Sequence, residues 1–171
     1  MAKTSGGGGG DRHAQASMAG MVIVRLFLGG YFLFVGLQKA LAVKAFTDFL
    51  AAATDAGTPV NFLHPTPWPA YAHFLANTVH PHADTIALLL IGVELTLGVL
   101  FVLGLLTRGA ALGGLVLNSL YLLATLYISA YSLGLNLACL AMELAVLVAA
   151  AGRTWGLDAL IAARTRLKLL W

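Results

Sequence analysis

Four long apolar runs constrain this chain more than any other feature of its sequence. A helix needs about 20 mostly apolar residues to cross the roughly 30 Å of hydrocarbon in a bilayer. Runs of about that length occupy residues 21–42, 85–106, 110–130 and 133–151. None of them shows the alternation of apolar and polar residues that a membrane β-barrel requires. The sequence therefore predicts an all-α integral membrane protein with four transmembrane helices.

The composition excludes the ordinary soluble classes. Only 10% of the residues are charged and 60% are hydrophobic, whereas a soluble domain has about 25% charged residues. The chain has 10 Lys and Arg against 7 Asp and Glu, so its weakly basic character indicates orientation in a membrane rather than binding of nucleic acid. Cys139 is the single cysteine, which excludes an intrachain disulfide and a structural zinc site.

Short connections predict an up-and-down bundle. Residues 107–109 join the second run to the third, and residues 131–132 join the third to the fourth, so these neighbours must be antiparallel. Lys and Arg residues near the run ends are concentrated on one side, which predicts that both termini face the cytoplasm from a bacterial inner membrane. That side holds Lys3, Arg12, Arg108, Arg153, Arg164, Arg166 and Lys168, against Lys39 and Lys44 on the other.

The expected organisation has three parts. Residues 1–20 form a flexible, Gly-rich cytoplasmic tail, residues 21–153 the four-helix domain, and residues 154–171 a cytoplasmic amphipathic tail along the inner headgroups. The long connection 43–84 faces outward. Phe46, Phe49, Leu50 and Ala53 recur at helical spacing there, which predicts an amphipathic helix on the membrane surface. Thr66-Pro67 predicts the start of a second short helix.

Each apolar run carries one stripe of polar or small residues. Lipid offers these side chains no hydrogen bonds, so the stripes should meet along a common axis. The predicted polar core consists of Arg25, Glu94, Asn118, Tyr121, Asn136 and Glu143. Depths along the helices, at about 1.5 Å per residue, predict an ion pair between Arg25 and Glu143. Glu94 would be protonated, or bonded to Asn118 or Tyr121.

Two interpretations of this polar core stay open. In one, its ionisable residues carry protons or hold a polar headgroup such as that of a quinone. In the other, which we favour on sequence grounds, they only join helices, because so small a bundle has little room for a substrate path.

Four histidines lie in the outward connection: His64, His73, His80 and His82. They could bind copper or zinc, or serve as axial ligands to a haem or chlorin from a partner. The simpler interpretation, favoured here, is that they are interfacial side chains, since no cysteine or carboxylate cluster accompanies them. No metal site and no intrinsic cofactor are therefore predicted.

Several motifs together resemble a known family. They are Arg-Leu-Phe-Leu-Gly-Gly from Arg25, Gly-Leu-Gln-Lys to Lys39, Gly-Val-Glu to Glu94, Gly-Leu-Leu-Thr-Arg to Arg108, and Gly-Arg-Thr-Trp-Gly-Leu-Asp to Asp158. Over about residues 21–162 the chain resembles the DoxX/DoxD family of small four-span membrane proteins. The resemblance implies either a quinone-linked subunit of a thiosulfate-oxidising enzyme or a small accessory protein. The elongated outward connection departs from the family's short-loop members.

Three functions follow as expectations. The leading one is an auxiliary, non-catalytic subunit of a larger respiratory or photosynthetic electron-transfer complex, with the bilayer and other membrane subunits as partners. The alternative is the quinone-reducing membrane subunit of a DoxD-like thiosulfate:quinone oxidoreductase, with Arg25, Glu94 and Arg108 near a quinone headgroup. The third is a pigment- or haem-carrying subunit that uses the histidines.

Overall fold

A computed structural model describes residues 8–58, 61–63, 68–149, 151–153 and 155–162, and every regular element within them is helical. The long helices are α1 (Gly8–Leu41), α4 (Ala83–Leu103), α5 (Thr107–Thr125) and α6 (Ala130–Ala149). Three short α-helices are also described, α2 (Val43–Thr54), α3 (Pro69–Phe74) and α7 (Leu157–Ala162), besides short π- and 3-10-helical turns, one of which, Ala151–Arg153, follows α6.

Three helical segments of the described chain are long and apolar enough to cross a membrane. They are Met18–Leu41, Pro69–Leu103 and Ala130–Ala149. The remaining predicted crossing, 110–130, corresponds to α5, which does not reach the same hydropathy because it contains Arg108 and Asn118 besides several Gly, Ser and Thr residues. The protein is thus a multi-pass, all-helical membrane protein.

The long helices pack in the cyclic order α1, α4, α5, α6. The contacts are most extensive between α1 and α4 and between α5 and α6, while α1 also contacts α6 and α4 contacts α5. Phe32 of α1 stacks on Phe101 of α4, with ring centroids 6.0 Å apart, inside an apolar core that includes Leu28 and Val146. We call the two ends of this assembly the α2 end and the α7 end, after the short helix at each.

The second predicted surface helix and the second predicted crossing form one continuous helical segment of 35 residues. After α3 the chain continues through a π-helical turn, Leu75–Val79, and a 3-10 turn, His80–His82, into α4. Pro81 explains the irregular turns, because proline lacks an N–H and its ring clashes with the preceding turn of an α-helix. Thr66 and Pro67, the predicted start of this helix, lie outside the described residues.

Helices α2 and α3 form a cap at the α2 end. Leu50 of α2 packs with Leu75, Val79 and Ala87 in a second apolar cluster. Of the predicted apolar face of α2, Leu50 and Ala53 are buried against the protein, while Phe49 is 56% exposed on its outer side.

Two other sequence-based expectations concern the chain ends. Residues 8–20, expected within a flexible tail, form the first turns of α1, which can extend from the apolar run at little further cost once the helix is nucleated. Most of the predicted C-terminal amphipathic tail, residues 154 and 163–171, lies outside the described residues, whereas residues 157–162 form α7.

Close approach of α1 and α4 depends on two glycines. A Cβ atom built at Gly98 would lie 2.8 Å from the backbone nitrogen of Leu33, and one at Gly29 would lie 2.8 Å from that of Val102. Real Cβ atoms do not approach backbone so closely, so any side chain here must force the helices apart.

Gly98→Ala should therefore destabilise the protein by about 1–3 kcal/mol, because overpacking displaces backbone. Thermal unfolding in detergent measures the effect. Gly92→Ala on the same helix is the matched control, since a Cβ there meets no described atom within 4 Å, and it should be neutral or slightly stabilising. Equal unfolding temperatures for the two variants would contradict the proposed close contact.

Candidate functional site

The structure buries most of the predicted polar core. Arg25, Glu94, Asn118, Asn136 and Glu143 are all buried in the interior. They divide into three groups along the helices, one near the α2 end, one in the middle and one at the α7 end.

The group near the α2 end joins three helices through one carboxylate oxygen. The Nζ atom of Lys39 on α1 lies 2.5 Å from Oε1 of Glu94 on α4. The hydroxyl of Tyr121 on α5 donates a hydrogen bond of 2.7 Å to the same oxygen, and the ammonium of Lys39 also donates to the Tyr121 oxygen at 3.3 Å. We call these three residues the Lys39–Glu94–Tyr121 triad.

Aromatic rings complete the surroundings of the Lys39 ammonium. Its Nζ lies 4.8 Å from the centroid of the Phe46 ring and 5.1 Å from that of the Tyr121 ring, which are cation–π distances. The Lys39 side chain is only 18% exposed. The other carboxylate oxygen of Glu94, Oε2, is buried and has no hydrogen-bond partner among the described residues.

Sequence reasoning predicted the bond between Glu94 and Tyr121 as one alternative, but it missed Lys39 as the partner of Glu94. Lys39 lies at the end of an apolar run, where lysine usually reaches toward lipid headgroups. A signal was nevertheless present, because Lys39 follows Arg25, Gly29, Phe32 and Gly36 at steps of four and three and so shares their inward face.

A cavity of about 310 Å³ lies between the cap and helices α4 and α5, beside Tyr121 of the triad. Its walls are almost entirely apolar, and Tyr121 lines it. Two of its other lining residues, Phe74 and Leu89, are 43% and 61% exposed on the outer surface, so the cavity reaches the flank of the protein. The remaining lining residues are Leu50, Phe62, Tyr71, Leu75, Val79, Ile86, Leu90, Val93, Leu117, Leu120 and Ala124.

One polar contact ties the cap to the wall of this cavity. The Tyr71 hydroxyl of α3 donates a hydrogen bond of 2.9 Å to the backbone oxygen of Leu120 on α5. The cap is therefore held over the cavity at a defined point.

The middle group joins α5 to α6. Asn118 Nδ2 donates a hydrogen bond of 2.6 Å to Oε1 of Glu143, which is completely buried. Asn136, nearer the α2 end of the same interface, donates to the Thr125 hydroxyl at 3.2 Å.

The ion pair predicted between Arg25 and Glu143 is wrong. Glu143 bonds to Asn118, and the Arg25 guanidinium donates to the backbone oxygens of Ala151 at 2.9 Å and Trp155 at 3.2 Å. The depth estimate failed because the chain after α6 turns back over the α7 end, and its carbonyl groups reach Arg25 there.

Asp158, at the same end of the molecule, joins α7 to the start of α5. Its carboxylate accepts hydrogen bonds from the backbone N–H groups of Leu106, at 2.6 Å, and Thr107, at 2.9 Å. These N–H groups open α5, whose N-cap residue Leu106 makes no side-chain cap. An acceptor from α7 thus supplies the cap, and its negative charge suits the positive end of the α5 dipole.

Arg25, Glu94 and Arg108 do not converge on one point, although the sequence predicted them together around a headgroup. Arg25 lies roughly 20 Å from Lys39 along α1, at about 1.5 Å per residue. Arg108 opens α5 at the α7 end, where its Nε is buried without a partner among the described residues. Only Glu94 belongs to the triad.

The described histidines of the outward connection lie in the cap or in the segment that joins it to α4. His80 Nδ1 lies 3.1 Å from the oxygen of Ala51 and 3.5 Å from the Thr54 hydroxyl, which links the end of α2 to the segment before α4. His82 Nδ1 lies 3.0 Å from the oxygen of Thr78. His73 lies on α3, and His64 is outside the described residues. In the described part of the chain, no group of three or more metal-ligating side chains comes together.

Comparison with known protein families gives a match over most of the chain. Residues 21–171 match the family described as TQO small subunit DoxD. The chain belongs to the DoxD family. No solved structure matches it. Within this DoxD-family chain, Lys39 and Glu94 form the triad with Tyr121, while Arg25 and Asp158 build the α7 end.

Asp158→Asn should destabilise this DoxD-family protein by about 1–3 kcal/mol, because an amide can accept from only one of the two N–H groups and turns its own NH₂ toward the other. Thermal unfolding in detergent measures the change. Asp48→Asn is the matched control, since Asp48 is exposed and pairs only with Lys44 in the described chain. A destabilisation no greater than that of the control would exclude the capping role of Asp158.

Proposed function

We propose that this DoxD-family chain is the quinone-binding membrane subunit of a thiosulfate:quinone oxidoreductase. In this proposal α1, α4, α5 and α6 all cross the membrane, both termini face the cytoplasm, and the cap faces outward. The family description as a TQO small subunit supports a place in a larger complex. Another subunit of that complex would oxidise thiosulfate and pass the electrons on.

The observation that carries the proposal is the apolar cavity lined by Tyr121, the member of the triad that bonds to Glu94. A quinone headgroup is a flat, mostly apolar ring with two carbonyl oxygens. Its site therefore needs apolar walls, a hydrogen-bond donor for an oxygen, and a source of protons. The cavity supplies the walls, the Tyr121 hydroxyl is the donor, and Glu94 lies directly behind it.

Access to the cavity also fits a lipid-soluble substrate. Phe74 and Leu89, at its margin, are large apolar side chains exposed on the outer flank of the helices. A molecule dissolved in the bilayer could enter sideways between these residues without crossing water. The volume of about 310 Å³ lies at the lower end for small-molecule sites, which suits a headgroup whose isoprenoid tail stays in lipid.

Each member of the triad has a distinct chemical role in this proposal. Reduction of the quinone adds two electrons and two protons to its oxygens. At rest the one Tyr121 proton is donated to Glu94 Oε1, so the hydroxyl must first turn this proton toward the quinone. Tyr121 then gives it to the nearer quinone oxygen, and Glu94, once it has itself taken up a proton, returns one to the Tyr121 oxygen across their 2.7 Å contact. The second proton of the reduction requires a second uptake by Glu94. The Lys39 ammonium stabilises whichever of the Glu94 and Tyr121 oxygens is left negative, because it lies within hydrogen-bond distance of both.

If the triad only held the helices together, removal of one of its members should lower the stability of the protein rather than the rate of quinone reduction. Breaking a buried ion pair by removal of one partner costs about 3–5 kcal/mol, since an uncompensated charge remains. Substitutions that preserve shape and hydrogen bonding, but remove the proton that moves, separate the two interpretations.

Tyr121→Phe should reduce thiosulfate-dependent quinone reduction at least tenfold, since general acid groups contribute about 10²–10⁴-fold, while the complex still assembles. Glu94→Gln, which keeps an acceptor for Lys39 and Tyr121, should have a similar effect. The assay uses the complex purified through this chain and a short-chain quinone as acceptor. Tyr127→Phe is the matched control, because Tyr127 is 62% exposed.

The opposite result is equally informative. If Glu94→Gln and Tyr121→Phe assemble and reduce quinone at the rate of the unmodified complex, the triad carries no protons and the proposed quinone site is wrong. If both variants assemble in lower yield, but the complex that does assemble reduces quinone at the normal rate, the triad serves helix packing alone.

A further inference from the structure

We infer that a groove on the outer face of α4 binds the first part of the quinone's isoprenoid tail, where the tail leaves the cavity and enters lipid. The inference rests on the proposed function and deepens it, because the cavity accounts only for the quinone headgroup. It predicts that the protein distinguishes quinones by their tails as well as by their rings.

The groove is an open depression of about 520 Å³ along α4. Its lining residues extend from Thr85 to Leu97, which is about 18 Å along the helix axis at about 1.5 Å per residue. Leu88 and Val93 in its walls are 58% and 42% exposed, so the groove faces the outside of the helices. A long, open and largely apolar groove suits a flexible hydrocarbon chain.

The groove adjoins the proposed headgroup cavity. Leu89 and Val93 line both spaces, which therefore meet at these two side chains. Leu89 also lies at the outer margin of the cavity, where a quinone would enter from the bilayer. The tail of a headgroup bound in the cavity would leave past Leu89 and reach the groove at once. Leu88 and Gly92 line the groove but not the cavity, so they are placed to contact the tail alone.

Gly92 is not needed for packing within the described chain. A Cβ atom at Gly92 would meet no described atom within 4 Å, whereas one at Gly98 would collide with the backbone of α1. Glycine inside a helix is less stable than alanine, because it loses more backbone freedom on folding. At Gly92 this cost brings no closer helix contact in the described structure, but it leaves the groove without a side chain at that point.

The backbone that Gly92 leaves uncovered does not make the groove strongly polar. The Thr96 hydroxyl donates a hydrogen bond of 2.7 Å to the Gly92 carbonyl oxygen, one turn earlier on α4. The hydroxyl and the carbonyl thus satisfy each other within the helix. Leucine and valine side chains form most of the remaining surface, so the groove suits an apolar chain better than a polar ligand.

The expected contribution of the groove is modest. A quinone tail gains little hydrophobic free energy on moving from lipid into the groove, because lipid chains are as apolar as leucine side chains. The gain comes from close van der Waals contacts with α4. The headgroup in the cavity already holds the tail nearby, so these contacts form without the cost of a second association.

Gly92→Leu tests the inference, because the leucine side chain would fill the groove and its Cβ meets no described atom within 4 Å. The complex, purified through this chain and returned to lipid vesicles, receives thiosulfate and one of two quinones with the same ring. Menadione has no tail, and menatetrenone carries an isoprenoid tail. The corresponding ubiquinones replace them if the complex accepts only the benzoquinone ring.

The KM for menatetrenone should rise about threefold or more in Gly92→Leu, while its kcat and the KM for menadione stay unchanged. An unchanged KM for menatetrenone would overturn the inference. An equal rise in KM for both quinones would also overturn it, since the groove would then serve as an entrance and not as a site for the tail.

Gly30→Leu is the matched control. Gly30 is exposed on α1, a Cβ there meets no described atom within 4 Å, and it lines neither the groove nor the cavity. The KM for both quinones should stay unchanged in this variant. A change in the KM for menatetrenone as large as that in Gly92→Leu would overturn the inference.

A second measurement uses the unmodified complex and so does not depend on the folding of a variant. A quinone with a photoreactive diazirine on its first isoprenoid unit should label α4 within residues 85–97. Labelling confined to another helix, or to another subunit, would overturn the inference.

The outcomes separate this inference from the proposed function. Inhibition by Tyr121→Phe, together with normal KM values for Gly92→Leu, would overturn the tail site and leave the quinone site standing. Normal quinone reduction by Tyr121→Phe would overturn the quinone site itself, and the tail site with it. Poor assembly of Gly92→Leu, with normal KM values in the complex that forms and no photolabelling of α4, would assign the groove to a helix of a partner subunit.

Discussion

The structure depends on the need to satisfy polar atoms inside helices that otherwise carry apolar side chains. In hydrocarbon, an unpaired donor or acceptor finds no water, so buried polar side chains must bond to one another or to free backbone groups. This chain meets that requirement at three levels. Lys39, Glu94 and Tyr121 bond to one another, Asn118 bonds to Glu143, and Arg25 and Asp158 bond to backbone groups exposed at helix ends.

The carboxylates in the three groups differ in how completely their oxygens are bonded. Asp158 receives two backbone hydrogen bonds, one on each oxygen, as a helix cap should. Glu94 and Glu143 each keep one carboxylate oxygen without a partner in the described chain. Buried polar groups in proteins are nearly always bonded, and exceptions occur where a proton or ligand must be handled. In the proposed quinone site, Glu94 is the member of this pair that lies next to Tyr121.

The apolar cavity and the triad also depend on each other. The cavity exists because the cap, rather than a fifth long helix, covers α4 and α5 at the α2 end, where Tyr71 bonds to the Leu120 carbonyl. The same cap places Phe46 over the Lys39 ammonium. Tyr121 thereby lines an apolar cavity that reaches the outer flank of the helices, with the carboxylate of Glu94 and the ammonium of Lys39 bonded to its hydroxyl. In apolar surroundings electrostatic interactions are stronger, because little water screens them.

The sequence by itself determined the membrane class, the approximate positions of the long helices apart from the N-terminal extension of α1, and the inward direction of Arg25, Glu94, Asn118 and Glu143. Length, hydropathy and the period of the helix fix these features locally. Only the tertiary structure decided the partners. It paired Glu94 with Lys39, turned Arg25 to the carbonyls that follow α6, and made Asp158 the cap of α5, because each of these contacts joins segments far apart in the chain. Helical periodicity states which face a residue occupies, but not which other helix, at which height, lies against that face.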